Sequence, residues 1–123
     1  RRIKNSSTTV HRLLKAFGSR EEIEDVILTE RRHELEKELA KEPSDYDLWF
    51  DYCNLEEQQG NVERTRHVYQ RAVANAPPVL KDKFYWKRYI YIWLNYALFE
   101  ETSGDSQKAE LVYKNAIELV PHE

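Results

Sequence analysis

The sequence is short of chain-breaking and cross-linking residues, with 3 glycines, 4 prolines and one cysteine in 123 positions. So little Gly and Pro leaves scant material for hairpin turns, and the abundance of Glu, Lys, Leu and Ala favours helix instead, so an all-α protein is expected. A lone Cys53 excludes an internal disulfide and a multi-cysteine zinc site, and fits a reducing compartment. Charge of one sign is also lacking: 22 acidic and 19 basic residues give a net charge of −3. Bulk attraction to phosphate backbones is therefore not expected. The uncharged run Tyr89 to Phe99 has 11 residues and includes Asn95, too short for the about 20 residues of a membrane span. No Gly-rich phosphate loop and no metal-ligand spacing among His11, His33, His67 and His122 is present, so no catalytic residue, cofactor or metal is expected. Arg1 opens no signal peptide, and a start without Met reads as an internal piece of a longer chain.

Aromatic side chains are plentiful and concentrated. Phe84 to Glu101 holds eight of the fifteen. At 3.6 residues per turn Tyr89, Ile92, Trp93, Tyr96 and Phe99 share one face, while Ile90, Leu94, Ala97 and Leu98 cover much of the other, so this helix is expected to be packed on both sides. Five further helices read from the pattern. Thr8 or Thr9 caps one carrying Val10, Leu13, Leu14 and Phe17, ended by Gly18. Ser19, with Glu22 as a capping box, starts one carrying Ile23, Val26, Ile27, Leu28, Leu35 and Leu39 that stops near Lys41, before Pro43. Ser44 or Asp45 starts the next, with Leu48, Trp49, Tyr52 and Leu55 inward and Gly60 as its stop. Asn61 caps another, with Val62, Tyr69, Ala72, Val73 and Ala76 inward, ended by Pro77 and Pro78. After the aromatic helix, which closes near Gly104, Asp105 caps the last, with Ala109, Val112, Tyr113, Ala116, Ile117 and Val120 inward and Pro121 as its stop.

The chain is similar to itself at a shift of 44. Laying 46–79 on 90–123 pairs Trp49 with Trp93, Tyr52 with Tyr96, Glu56 with Glu100, Glu57 with Glu101, Gly60 with Gly104, Val68 with Val112, Tyr69 with Tyr113, Ala72 with Ala116 and Pro77 with Pro121. These are 9 identities in 34 positions, where roughly two are expected from average usage. Cys53 falls opposite Ala97, which makes it a small core residue. Each unit is helix, Gly-containing turn, helix, Pro, and such units bury their apolar load by stacking, as in a solenoid. The resulting division is one helical-repeat domain over 1–123, with an irregular pair at 8–43 and repeats at 44–79 and 80–123. Glu56 and Glu100 lie seven residues beyond a Trp on the inward stripe, so they are expected to be partly buried and to take hydrogen bonds from Tyr or Arg of an adjacent helix. Trp93 follows Pro77 by 16 residues where Trp49 follows Pro43 by 6, so the aromatic helix is expected to extend backwards by nearly three turns.

Trp-x-x-Tyr-x-x-x-Glu followed by Tyr, Ala and a terminal Pro resembles the half-a-tetratricopeptide (HAT) repeat. Phe17-Gly18-Ser19-Arg20, Ile23-Glu24-Asp25-Val26-Ile27, Arg31-Arg32, Trp49-Phe50-Asp51-Tyr52 and the whole block from Trp86 to Glu101 are similar to the crooked neck family of pre-mRNA splicing factors. The resemblance covers about residues 17 to 122; residues 1 to 16 match poorly. It implies a right-handed α-solenoid of antiparallel helix pairs, a piece of a longer HAT arch, and a nuclear, non-enzymatic scaffold that meets other splicing proteins of the nineteen complex. Binding of RNA through Lys81, Lys83, Trp86, Lys87 and Arg88 is the competing function, against a solvated helix start whose rings belong to the core. Leu111 and Leu119 lie off the inner face of the last helix and point to edge-to-edge self-association.

Overall fold

Short polar side chains start the helices. Ser19 Oγ accepts from the Glu22 N–H at 3.1 Å, Asp45 Oδ1 from Leu48 at 3.4 Å, Asn61 Oδ1 from Arg64 at 3.0 Å and Asp82 Oδ1 from Phe84 at 3.0 Å. Each fills an N–H that a first helical turn leaves unpaired. In the computed structural model the helices so begun are α1 (Arg20–Lys41), α2 (Tyr46–Gln59), α3 (Val62–Val73) and α4 (Lys83–Thr102); α5 (Ser106–Leu119) follows, with Asp105 Oδ1 accepting from Gln107 at 2.9 Å. The structure describes residues 9–12, 14–16, 18–78 and 81–119, and every regular element among them is helical. The expectations for Thr8, Leu13, Phe17, Val120 and Pro121 lie outside the described residues.

Two compact units divide the chain, Arg1–Lys37 and Glu38–Glu123. In the first, Gly18 is left-handed (φ 86°) and its N–H reaches Leu14 O at 2.8 Å, while Ile23 and Leu35 of α1 are buried and Val26 and Ile27 are exposed.

In the second unit, α2 and α3 are joined by two residues, Gly60 and Asn61. Gly60 is left-handed (φ 82°) and closes α2 by donating its N–H to Glu56 O and Glu57 O. Nothing lies within 4 Å of where its Cβ would be, so backbone conformation alone requires the glycine. Gly60→Ala is expected to cost about 1 to 2 kcal/mol, seen as a lower urea midpoint at unchanged slope. Contacts then pair residues in opposite order along the two helices. Tyr46 Oη donates to Asn75 O at 2.8 Å, the Arg71 guanidinium lies 5.3 Å over the Trp49 ring, and Tyr69 Oη donates to Glu57 at 2.5 Å. The pair is therefore antiparallel. The last of these bonds recurs 44 residues on, where Tyr113 Oη of α5 donates to Glu101 of α4 at 2.9 Å.

Helix α4 packs on α2, α3 and α5. Tyr69 stacks on Tyr96 at 5.3 Å and on Phe99 at 5.6 Å, Tyr46 meets Tyr89 at 5.7 Å, and Ala72 and Ala97, wholly buried, let backbones approach. Yet three neighbours do not enclose it. Phe84, Tyr91, Leu94 and Leu98 remain exposed on a common stripe, which corrects the expectation of a helix covered on both sides.

Three other expectations change. Helix α3 stops at Val73 rather than at Pro77, and Ala76 is exposed: Pro77 and Pro78 have no N–H for the carbonyls four residues earlier, the Val73 carbonyl accepts from the Tyr89 hydroxyl instead, and Tyr46 holds Asn75 O past the end of the helix. Ile117 is exposed as well, since α5 turns only Ala109, Val112 and Ala116 fully inward. Finally, α4 begins ten residues before Trp93 where α2 begins three before Trp49. The extension is seven residues, about two turns, and not three. This lengthening has a local cost. Trp49 Nε1 donates to the loop carbonyl of Pro43 at 2.7 Å, whereas buried Trp93 Nε1 has no partner because helix occupies the corresponding place.

Candidate interaction surface

The two repeat carboxylates are fully buried. Glu100 is held by a residue of the neighbouring pair: Arg66 on α3 approaches it through Nε at 2.7 Å and Nη2 at 2.9 Å, and the Asp105 N–H donates to it at 3.1 Å. Arg66 also reaches Glu63 at 2.8 Å. Burial would raise the Glu100 carboxyl, but the Arg66 hydrogen bonds and the Asp105 N–H outweigh it and hold the group below its ordinary value. A Cβ at Gly104 would lie 2.1 Å from Glu100 Oε1, so this glycine makes room for the ion pair, whereas its repeat mate Gly60 serves backbone conformation. Glu56 receives Arg64 Nε at a longer 3.4 Å.

The remaining signature residues form the core around these acids. Trp49, Tyr52, Tyr69, Ala72, Tyr96 and Ala116 are buried, Trp93 and Tyr113 half-buried, and Pro77 buried beyond the end of α3. Burial and the bond to Glu57 push the Tyr69 hydroxyl up, and burial lifts Tyr46 to about 12, so both stay protonated donors. Cys53 is buried, and desolvation, followed by Glu57 and Glu56, pushes its thiol up, the opposite of an activated nucleophile. It is expected to resist iodoacetamide in the native chain and to react once urea unfolds it; fast native labelling would contradict this. Among the described residues no cluster of three or more metal-ligating side chains converges, and no helix is long and apolar enough to cross a membrane.

The basic aromatic segment at the start of α4 divides. Lys83 and Lys87 are exposed. Lys81 sits 4.6 Å over the Tyr85 ring, Trp86 turns edge-on to Tyr89 at 5.8 Å, and Arg88 pairs with Asp47 of α2 while lying 4.9 Å over Phe50. A cleft of about 470 Å³ opens there, lined by Glu42, Asp45 and Asp47 as well as by Lys81, Phe84 and Arg88. Further along the same two helices, past the Phe50–Tyr91 ring contact at 5.6 Å, a second cleft of about 270 Å³ is lined by Asn54, Glu57, Asn95 and Leu98, with Cys53 and Tyr69 among its walls. The furrow between α2 and α4 thus consists of two clefts separated by the Phe50–Tyr91 contact, with acidic side chains of α2 and of the residues before it along one wall. Sequence reasoning did not single out Tyr46, Asp47 or Arg66. For Arg66 a signal existed, because its repeat mate is Glu110, a reversal of charge inside an otherwise matching unit.

No family model matches the chain. It is 51% identical over 78 residues to pre-mRNA-splicing factor CLF1 of Paracoccidioides brasiliensis, covering 63% of this chain and 11% of that protein. It is 49% identical over 78 residues to crooked neck-like protein 1 of Homo sapiens, covering 63% of this chain and 9% of the relative, and 46% identical over 91 residues to the Dictyostelium discoideum protein of that name, covering 74% and 13%. The chain spans about a tenth of the length of the curated relatives it matches.

Proposed function

Given that the chain carries a segment of the crooked neck family of pre-mRNA-splicing factors, we propose that it is a scaffold module that binds other splicing proteins, those of the nineteen complex first, in the nucleus. The observation that carries this is the second unit itself: two antiparallel helix pairs repeat the Tyr–Glu bond 44 residues apart and are joined by a buried ion pair. On this reading 44–79 and 80–123 are successive HAT repeats after an irregular pair at 8–43, a piece of a longer right-handed solenoid, and the work done is the holding of partners rather than chemistry. The exposed Leu111 and Ile117 on α5 suit a surface that a further unit, or a second copy of the chain, would cover.

Crosslinking mass spectrometry on the parent assembly tests the proposal. Links from Lys83, Lys87 and Lys108 to other protein subunits are expected, and lysines linked only within their own chain would contradict it. Direct RNA contact is the second reading, favoured by the exposure of Lys81, Lys83 and Lys87 beside the exposed Phe84 ring. It requires salt-sensitive RNA binding that a Lys81, Lys83, Lys87 triple alanine variant loses. Since Arg88 is already paired with Asp47 and three carboxylates line the adjacent cleft, no saturable binding of single-stranded RNA at low salt is expected.

A further inference from the structure

The furrow between α2 and α4 has two unlike walls. Helix α2 contains no Lys or Arg, and its open side carries Asp47, Asp51 and Glu57. Helix α4 answers Asp47 with Arg88 at its first turns, but beyond that presents Tyr91 and Leu98, 55% and 49% exposed, and the neutral Asn95. Exposed aromatic and aliphatic side chains lined up along an open helix face are what a partner helix covers, by anchors spaced three or four residues apart. Opposite that stripe Asp51 is exposed, as is Glu57, whose partner is the uncharged Tyr69 hydroxyl; their charges favour a cation, and like charge there would cost affinity. From this asymmetry we propose that the furrow docks a cationic amphipathic helix of a partner protein, its apolar stripe on Tyr91 and Leu98 and its Lys or Arg residues against Asp51 and Glu57. The two Asn side chains, Asn54 and Asn95, offer both donors and acceptors to polar groups of the occupant. This docking rests on the scaffold reading and adds to it the face used and the chemistry of what is bound.

The probe is a display library of random peptides of about 15 residues, long enough to span α2 at 1.5 Å per residue, selected against the whole chain. Enrichment of peptides with Lys or Arg beside Leu, Ile or Phe at helical spacing is expected. Their affinity should fall at least about tenfold with Asp51→Lys and again with Leu98→Lys, and be kept by Asp51→Glu, by Leu98→Met and by Leu111→Lys on α5. Asp51 and Leu98 are exposed, and retained circular dichroism and urea midpoints would show the variants folded. Enrichment of acidic sequences, binders indifferent to both furrow substitutions, no enrichment at all, or a dimer of the chain that Leu98→Lys abolishes would each overturn the proposal. If crosslinks to other subunits persist in an assembly carrying Asp51→Lys and Leu98→Lys, docking in the furrow fails while the scaffold function stands.

Discussion

Arg66→Ala is expected to destabilise the chain by about 3 to 5 kcal/mol, more than the loss of an exposed ion pair would allow. The reason is what remains behind. Glu100 is wholly buried with a bidentate guanidinium on both oxygens, and truncating the arginine leaves its carboxylate with the Asp105 N–H and little else to offset burial. Replacing both partners with leucine should recover much of the loss, because a buried pair contributes little over well-packed apolar side chains once both charges are gone. The acid response follows from the direction of the Glu100 shift. A carboxyl held below its ordinary value in the folded chain contributes stability that is fully present at neutral pH, and that is lost as pH falls through the ordinary carboxylate range towards the folded value. Urea midpoints taken from pH 7 down to about 3 should therefore fall more steeply in the parent than in Arg66→Ala. Equal slopes would remove the ion pair as the cause.

Trp49→Ala is the second large effect, expected at about 3 to 5 kcal/mol. The ring is 2% exposed, stacks on Tyr52 at 6.3 Å, lies under the Arg71 guanidinium and ties α2 to the preceding loop through Pro43 O. Trp49→Phe should keep most of the packing and lose only the bond to Pro43, about 1 kcal/mol. The repeat mate should behave differently. Trp93 is half-buried and its Nε1 has no partner, so Trp93→Phe is expected to be nearly neutral. If the two Trp→Phe variants lose the same amount in a urea titration, the account of Pro43 fails.

These contrasts bear on what the sequence made legible. Local signals sufficed for helix starts at Ser19 and Asn61 and for the stop at Gly60, and left Ser44 and Asp45 as alternatives where Asp45 is the cap, since caps and left-handed turns are decided by residues one to four positions apart. The core of the repeats was legible for a similar reason: Trp49, Tyr52, Tyr69 and Ala72 recur with helical spacing and again 44 residues on. Long-range events were not. Pro77 has no N–H for the Val73 carbonyl, which a local rule does announce, but that the Tyr89 hydroxyl of another helix takes this carbonyl is written nowhere in 70–78. Arg66 finds Glu100 across 34 residues, and the identical letters Gly60 and Gly104 conceal two different demands, one on φ and one on space. Periodicity also overstates burial where a helix has fewer neighbours than apolar faces, as at Leu94, Leu98 and Ile117. For the candidate surface, the lysines at 81–87 could be read directly, but the acidic wall came into view only when α2 and α4 were seen side by side.

The two helix pairs are expected to unfold as one cooperative array through α4 rather than as two independent hairpins. With 5-fluorotryptophan in place of Trp49, Trp86 and Trp93, a single urea titration followed by fluorine NMR reports the first pair, the start of α4 and the second pair in the same sample. One shared midpoint is expected for all three resonances. A Trp49 transition separated from those of Trp86 and Trp93 would contradict it.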